Sequence, residues 1–162
     1  MKILFIQTGG TIDKDYPKTN LGYAFEITDP AVNRVLPKVN PSFEYEVISV
    51  CKKDSTELTE EDREKICKVC LESSLDKIVI THGTDTMIET AKKLSDISNK
   101  TIIITGAIRP QMFSNSDADF NLGLAVGGVQ TLANGVYIAM HGQIIPWQKC
   151  VRDPETGKFI SR

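Results

Sequence analysis

The stretch of sequence that decides the fold is KIVITHGTDT, residues 77–86. Its first half is a short apolar run of strand length, and a helical pattern begins after Thr86. The spacing Thr86-x-x-Glu89 has the form of a helix capping box, in which each side chain bonds to the other residue's backbone N–H. A strand, a short loop and a helix in that order predict one unit of a parallel sheet.

The same alternation of strand and helix runs along the rest of the chain. Apolar runs of strand length also occupy residues 3–6, 45–50, 101–105 and 136–140. Helical patterns follow Thr59, a predicted N-cap, and cover about residues 118–132. We therefore predict an α/β fold with a doubly wound, mostly parallel sheet and helices on both faces, a flavodoxin-like three-layer sandwich. A chain of 162 residues fits one such domain, spanning residues 1–162.

Two segments lack this periodicity. Residues 13–28 contain several turn formers and are predicted to form a long loop, and long loops in compact domains are often functional lids. Residues 153–157 read DPETG, which predicts a turn between two short extended pieces.

Composition and charge argue against several classes of function. The formal net charge is -2 and the lysines are scattered, which argues against a nucleic-acid partner. No apolar run approaches the roughly 20 residues that span a bilayer, so no membrane contact is expected. Four cysteines are too few for a disulfide scaffold and suit a reducing cytosol, so we expect a cytoplasmic protein. Cys67-x-x-Cys70 lies within a helical pattern without a second ligand pair, so we interpret both as ordinary thiols and expect no metal.

Small and hydroxylic residues follow three of the predicted strands. The segments are Thr8-Gly9-Gly10-Thr11-Ile12, His82-Gly83-Thr84-Asp85-Thr86 and Gly106-Ala107-Ile108-Arg109-Pro110. In open α/β sheets, ligands bind outside the carboxyl ends of the strands, so a functional site is expected among these segments.

The first two segments also have interpretations without chemistry. Gly9-Gly10 can form a tight turn, or can expose the Thr11 hydroxyl and backbone amides to a bound group; it matches neither phosphate-binding glycine motif. The Thr84-Asp85 pair can be a helix-capping turn or part of an anion site at a helix N-terminus. His82 is interpreted as structural, since the chain has two histidines and no Gly-x-Ser-x-Gly elbow.

Together, the first two segments strongly resemble the two signature motifs of the bacterial-type L-asparaginases. The likeness continues through residues 106–110 and through SDADFNL at residues 116–122, and it covers nearly the whole chain. The resemblance implies that L-asparagine and water give L-aspartate and ammonia through a covalent acyl-threonine intermediate, without a metal or organic cofactor. It also implies a homodimer or homotetramer whose other partner is the small amino-acid amide.

The resemblance assigns roles by position. Thr11 matches the primary nucleophile, and Tyr23 matches the tyrosine that supports it, with Tyr16 as the alternative. Thr84 matches the second catalytic threonine, and Asp85 matches the carboxylate that binds the substrate's α-amino group. The matches in substrate binding are Asp54 and Ser55 in the segment that holds the α-carboxylate, Gly10 and Gly83 in the signature loops, and Ala107 as a backbone contact near the leaving amide.

The sequence departs from the family in two places. Full-length members carry a smaller C-terminal domain that usually lends residues to the neighbouring subunit's site, and residues 1–162 match only the N-terminal domain. The lysine that activates the second threonine matches Arg152 without a gap and Lys149 with a short gap. Since a guanidinium cannot act as a base, Lys149 is predicted to be the cation that works with Thr84 and Asp85 in proton transfer, with an ordinary solvated lysine as the alternative. Two other functions stay open: a module that binds aspartate or asparagine without turnover, and an amidase for glutamine or another amide.

Overall fold

In a computed structural model, which describes residues 1–162, six strands form one sheet. In chain order they are β1 (Lys2–Gly9), β2 (Glu44–Lys53), β3 (Lys77–Thr81), β4 (Thr101–Thr105), β5 (Gly135–Met140) and β6 (Gln143–Pro146). Across the sheet their order is β6-β5-β4-β3-β1-β2, and only β6 runs antiparallel to its neighbour. The chain thus moves from β1 to β2 on one side and then to β3 on the other, which makes the space between β1 and β3 a topological switch point.

Helices cover both faces of the sheet. Helices α1 (Val32–Val39) and α4 (Ala118–Thr131) pack on the face that contains Phe5 and Ile103. Helices α2 (Glu60–Glu72) and α3 (Met87–Lys93) pack on the opposite face, against Ile6 and Ile104. Successive residues of each strand point to opposite faces, so the consecutive apolar residues of β1, β3 and β4 supply both cores. The predicted three-layer α/β fold is confirmed.

Strand and helix positions agree with the sequence patterns except in two places. The patterns do not predict helix α1, because it has only 8 residues and contains Pro37, which removes one helical hydrogen bond. Its buried face, formed by Val32, Val35 and Leu36, holds it against the sheet. The sequence patterns do not predict strand β6 either, since a strand of four residues on the edge of a sheet gives little periodicity.

One of the two predicted helix caps is correct. At the start of α2, the Thr59 hydroxyl accepts a hydrogen bond from Asp62 N at 3.2 Å, and the Asp62 carboxylate accepts one from Thr59 N at 2.9 Å. The capping box predicted from Thr86 to Glu89 is wrong, because the Thr86 hydroxyl donates to the carbonyl of Ser55 at 2.7 Å. Thr86 therefore ties α3 to another loop instead of capping its own helix.

The predicted long loop is partly ordered by its own backbone. Lys14–Asp15 pairs antiparallel with Glu26–Ile27, and Lys18–Thr19 pairs with Gly22–Tyr23. Residues 14–30, which connect the end of β1 to α1, are hereafter called the lid. Their two short ladders make a narrow hairpin that projects from the carboxyl edge of the sheet.

A second hairpin follows the sheet. Strands β7 (Cys150–Arg152) and β8 (Phe159–Ser161) pair antiparallel around the predicted turn, with Arg152 opposite Phe159. Phe159 and Cys150 are buried in the same core as α2 and α3, so the hairpin is anchored to the body of the protein. None of the helices has the length and apolarity needed to cross a membrane.

Candidate functional site

The loops that follow β1 and β3 touch through their glycines. Gly10 has a φ of 83°, and a Cβ atom on it would lie 2.4 Å from both Cα and N of Gly83. A Cβ on Gly83 would in turn lie 2.7 Å from the side chain of Ser55. Because no side chain fits in these gaps, the Gly10, Gly83 and Ser55 segments form one contiguous backbone wall at the switch point.

Replacing Gly10 by alanine is expected to destabilise the protein by more than the same change at Gly22. Both glycines have positive φ, which costs an alanine about 1–2 kcal/mol. Only at Gly10 would the new methyl group also overlap a neighbouring backbone, since Gly22 has nothing within 4 Å of a Cβ. Urea unfolding of Gly10→Ala and Gly22→Ala measures the difference, and equal losses would contradict the close backbone contact.

Two threonine hydroxyls at this edge are left free. Thr8, Thr81 and Thr86 all use their hydroxyls to bond backbone or carboxylate oxygens. Thr11, which begins a 3-10 turn at Thr11–Asp13, and Thr84 are partly buried, and neither hydroxyl has a hydrogen-bond partner within the chain. The edge therefore presents two unengaged hydroxyl groups on adjacent loops.

Ser55 and Asp85 are joined across the wall. The buried Ser55 hydroxyl accepts a hydrogen bond from Asp85 N at 3.1 Å. Asp54, the preceding residue, forms an ion pair with Lys14 of the lid at 2.9 Å. The structure thus brings together the two segments that the resemblance assigns to the substrate's amino and carboxylate groups.

The cation that contacts Asp85 in this structure is Arg152, and Lys149 makes no such contact. Arg152 Nη1 lies 2.7 Å from Asp85 Oδ1. Its Nε donates to the carbonyl of Gly157 at 3.2 Å, and its guanidinium lies 5.8 Å from the ring centroid of Phe159. Lys149 is exposed on the short 3-10 turn Trp147–Lys149, and its side chain makes no ion pair. Strand β7 directs its last residue, not the turn before it, to the site.

Both candidate tyrosines lie on the lid. Tyr23 and Tyr16 are 66% and 59% exposed, and their rings stack in parallel with centroids 6.1 Å apart. Phe25 continues the row to Phe113, which follows β4. Because Tyr16 and Tyr23 form a stacked pair in this arrangement, the structure leaves both as candidates for supporting Thr11.

Ala107 lies behind the Thr11 turn. It is buried with Ile12, Ala31 and Ala118 in a small apolar cluster that joins the third glycine-bearing segment to the base of the lid. The backbone of residue 107 is therefore close to the turn that carries Thr11.

His82 is a structural residue, as predicted from the sequence. It is fully buried, and its two ring nitrogens lie 2.7 Å from Gly83 O and 2.8 Å from Thr90 Oγ1. Burial lowers the pKa of His82 to about 4, so the ring is neutral at neutral pH. Its hydrogen bonds fix the loop that presents Thr84.

Asp13 is not singled out by the sequence patterns, although it directly follows the first motif. Its side chain is 0% exposed, and burial raises the pKa of Asp13 to about 6. Hydrogen bonds from Ala31 N, Gln7 and Thr81 oppose this rise by stabilising the carboxylate. A buried acidic group thus lies two residues from Thr11.

Asp13 and His82 have opposite effects on the pH dependence of stability. Folded Asp13 binds its proton near pH 6 against 3.8 for an ordinary carboxyl group, so falling pH favours folding. Folded His82 binds its proton near pH 4 against 6.5 for an ordinary imidazole, so falling pH disfavours folding. Each effect amounts to about 1.4 kcal/mol per pH unit within its window.

The Asp13→Asn variant should therefore lose stability relative to wild type as the solution is acidified. We expect the free energy of unfolding of wild type, minus that of the variant, to rise by about 2 kcal/mol between pH 7 and pH 4.5. Urea titrations at both pH values measure this difference. A difference that does not change with pH would show that Asp13 has an ordinary pKa.

No cluster of three or more His, Cys, Asp or Glu side chains is arranged to hold a metal ion. All four cysteines are free, and Cys67 and Cys70 lie inside α2.

The fold and the site define an α/β protein that presents two free hydroxyls and a carboxylate at a topological switch point. Residues 2–152 match the family model for the N-terminal domain of asparaginases. The chain belongs to the asparaginase family, which confirms the resemblance of its motifs.

Individual relatives agree with this assignment. The L-asparaginase of Thermococcus kodakarensis is 32% identical over 151 residues, covering 90% of this chain and 45% of the relative. The structure of that organism's thermostable L-asparaginase superposes with a TM-score of 0.85 at 30% identity, covering 99% of this chain and 51% of that one. The glutaminase-asparaginase of Pseudomonas aeruginosa is 36% identical over 85 residues, or 49% of this chain and 24% of the relative. The chain spans about half the length of the L-asparaginase it matches.

Proposed function

We propose that this protein hydrolyses the side-chain amide of L-asparagine to give L-aspartate and ammonia. The observation that carries the proposal is the pair of free hydroxyls, Thr11 and Thr84, on touching loops with the Asp85 carboxylate beside them. Family membership and the similarity to an L-asparaginase support the same chemistry.

In the proposed reaction, the Thr11 hydroxyl attacks the amide carbon of the substrate. The hydroxyl proton passes to the amide nitrogen as the C–N bond breaks, so ammonia leaves and an acyl ester forms on Thr11. Water then cleaves the ester and restores the hydroxyl. We assign Thr84 to assist proton transfer, and Tyr23 of the lid, stacked on Tyr16, to support Thr11.

In this proposal the site orients the substrate through the substrate's two charged groups. Asp85 receives the α-ammonium group, and Asp54 and Ser55 provide the segment that holds the α-carboxylate. The backbones of Gly10, Gly83 and Ala107 line the space around the amide. Ser55 already bonds to Asp85 N, so both ends of the amino-acid site are fixed relative to each other.

A second candidate is a module that binds aspartate or asparagine without turnover. Arg152 favours it, because this cation contacts Asp85 but stays protonated and cannot activate Thr84 as a base. Under the leading proposal, Lys149 stays the other candidate for the base. An amidase acting on glutamine or a larger amide is the third candidate, supported by similarity to a glutaminase-asparaginase.

One experiment separates the three candidates. Ammonia release is measured with L-asparagine and L-glutamine, beside calorimetric binding of L-aspartate. Release from asparagine supports the proposed function, and release from glutamine alone supports the amidase. Binding of aspartate without release from either amide would identify the binding module.

We also propose that residues 1–162 act as one domain that self-associates into a homodimer or homotetramer. Helix α4 leaves the large apolar side chain of Phe120 66% exposed, which supports contact with a second copy. We expect a dimer or tetramer in sedimentation equilibrium at micromolar concentration. A fully active monomer would show that one chain is sufficient.

The state of the cysteines bears on the cellular location of the protein. Four free thiols, two of them buried, suit a reducing environment, so we propose a cytoplasmic location.

A further inference from the structure

Asp13 connects three segments of the protein through one residue. Its Oδ1 accepts a hydrogen bond from Ala31 N at 2.7 Å, at the point where the lid joins α1. Its Oδ2 accepts one from the Thr81 hydroxyl at 3.3 Å, at the end of β3. Asp13 itself is the last residue of the turn that begins with Thr11. The carboxyl group therefore links the Thr11 turn, to which Asp13 belongs, to the residue that follows the lid and to the strand that leads to Thr84.

The lid also closes on the backbone of the same residue. The carbonyl of Asp13 accepts hydrogen bonds from Thr28 N at 2.9 Å and from the Thr28 hydroxyl at 3.2 Å. The chain thus leaves Asp13 to form the lid and returns to it at both Thr28 and Ala31. Any displacement of Asp13 would move the base of the lid together with the Thr11 turn.

Thr81 transmits this connection to the second loop. Its backbone carbonyl accepts a hydrogen bond from the Thr8 hydroxyl at 2.9 Å, while its own hydroxyl donates to Asp13. Three residues later the chain reaches Thr84, so Thr81 lies between Asp13 and the second free hydroxyl.

We propose that Asp13 is a positioning residue, whose carboxyl group holds the Thr11 turn and the lid in register with the end of β3. Its effect on turnover rests on the proposed amide hydrolysis, whereas the connection between the segments does not. If the only role of Asp13 were to hold the lid closed, contact with Ala31 would be sufficient. A neutral side chain could make that contact without the cost of burying an acidic group. The additional contact with Thr81 links Asp13 to the strand that leads to the second loop, which contains Thr84.

Four variants test the proposal. Asp13→Ala removes both side-chain contacts. Asp13→Asn keeps an oxygen for Ala31 N and offers an amide N–H to the Thr81 hydroxyl. Thr81→Val removes the contact with β3 alone. Asp15→Ala is the matched control, because Asp15 lies on the lid and its carboxylate bonds only to the neighbouring Tyr16 N.

Asparagine turnover and hydrogen exchange of the Ala31 amide are measured on each variant. Asp13→Ala should lower kcat at least about tenfold with little change in KM, since misplacing a reacting group by about 1 Å can cost a hundredfold. It should also speed exchange at Ala31 at least about tenfold, while Asp13→Asn restores both quantities. Thr81→Val should lower kcat without speeding exchange at Ala31, and Asp15→Ala should match wild type.

Fast exchange at Ala31 with unchanged kcat in Asp13→Ala would overturn the proposal, because Asp13 would then only close the lid. If Asp13→Ala fails to fold, Thr81→Val supplies the test, and wild-type kcat in that variant overturns the proposal. If wild type releases no ammonia, that result contradicts the proposed amide hydrolysis but does not decide whether Asp13 positions the loops. The exchange rate of the Asp85 amide in Thr81→Val then decides: faster exchange supports positioning of the second loop, and an unchanged rate overturns it.

Discussion

Replacing either Thr11 or Thr84 by alanine is expected to lower asparagine hydrolysis at least about a hundredfold, the range for losing a nucleophile or its activation. Neither hydroxyl has a hydrogen-bond partner within the chain, so neither change removes an internal hydrogen bond. The loss should therefore appear in kcat/KM, measured by ammonia release, and not in the urea midpoint.

Two further variants make this prediction specific. Thr11→Ser keeps a hydroxyl at the same place and should retain much more activity than Thr11→Ala. Thr131→Ala, at the exposed end of α4, removes a threonine far from the carboxyl edge and should behave as wild type. Near-normal activity of Thr11→Ala or Thr84→Ala would remove that threonine from the mechanism.

The second large effect is expected at Arg152. Arg152→Met should lower kcat/KM at least about tenfold, because Asp85 would lose the contact that fixes its orientation at the substrate's amino group. The ion pair is partly exposed to solvent, so its removal should cost the fold no more than about 1 kcal/mol. Lys149→Met tests the other candidate for the base and should have the smaller effect of the two, since Lys149 is exposed and forms no ion pair.

Arg152→Lys distinguishes orientation from proton transfer. A lysine at this position keeps the positive charge and, unlike arginine, can lose its proton. We expect activity to survive in this variant and to gain a dependence on alkaline pH that wild type lacks. If Lys149→Met is the inactive variant and Arg152→Met is not, the contact between Arg152 and Asp85 is incidental and Lys149 is the base.

The sheet could be predicted from the sequence because its strands are unmistakable. Residues 77–81 and 101–105 have the same bounds in the sequence pattern and in the structure, as each has three consecutive apolar residues that are buried on both faces of the sheet. Helix α1 could not be predicted in the same way. Contact with the sheet, not helix propensity, stabilises a short segment that contains Pro37.

The loops at the site could be recognised, but not every contact between them. The motifs pointed to Thr11, Thr84 and Asp85, which come directly after strands that neighbour each other in the sheet. The partner of Asp85 comes from β7, 67 residues further along the chain. A chemical preference for lysine favoured Lys149, whereas the register of β7 with β8 is what directs Arg152 to the carboxylate. Asp13 could not be singled out from the sequence, because its proposed role depends on its burial in the folded protein.

The contact between Gly10 and Gly83 has a consequence for engineering. Since main chain meets main chain there, the spacing of the two loops does not depend on the identity of any side chain between them. Lid residues such as Tyr16, Tyr23 and Phe25 are exposed and form no part of that contact. A designer who wished to admit a larger amide could vary exposed lid residues that have no role in the proposed reaction, and the backbone contact between Gly10 and Gly83 would still set the spacing of the two loops.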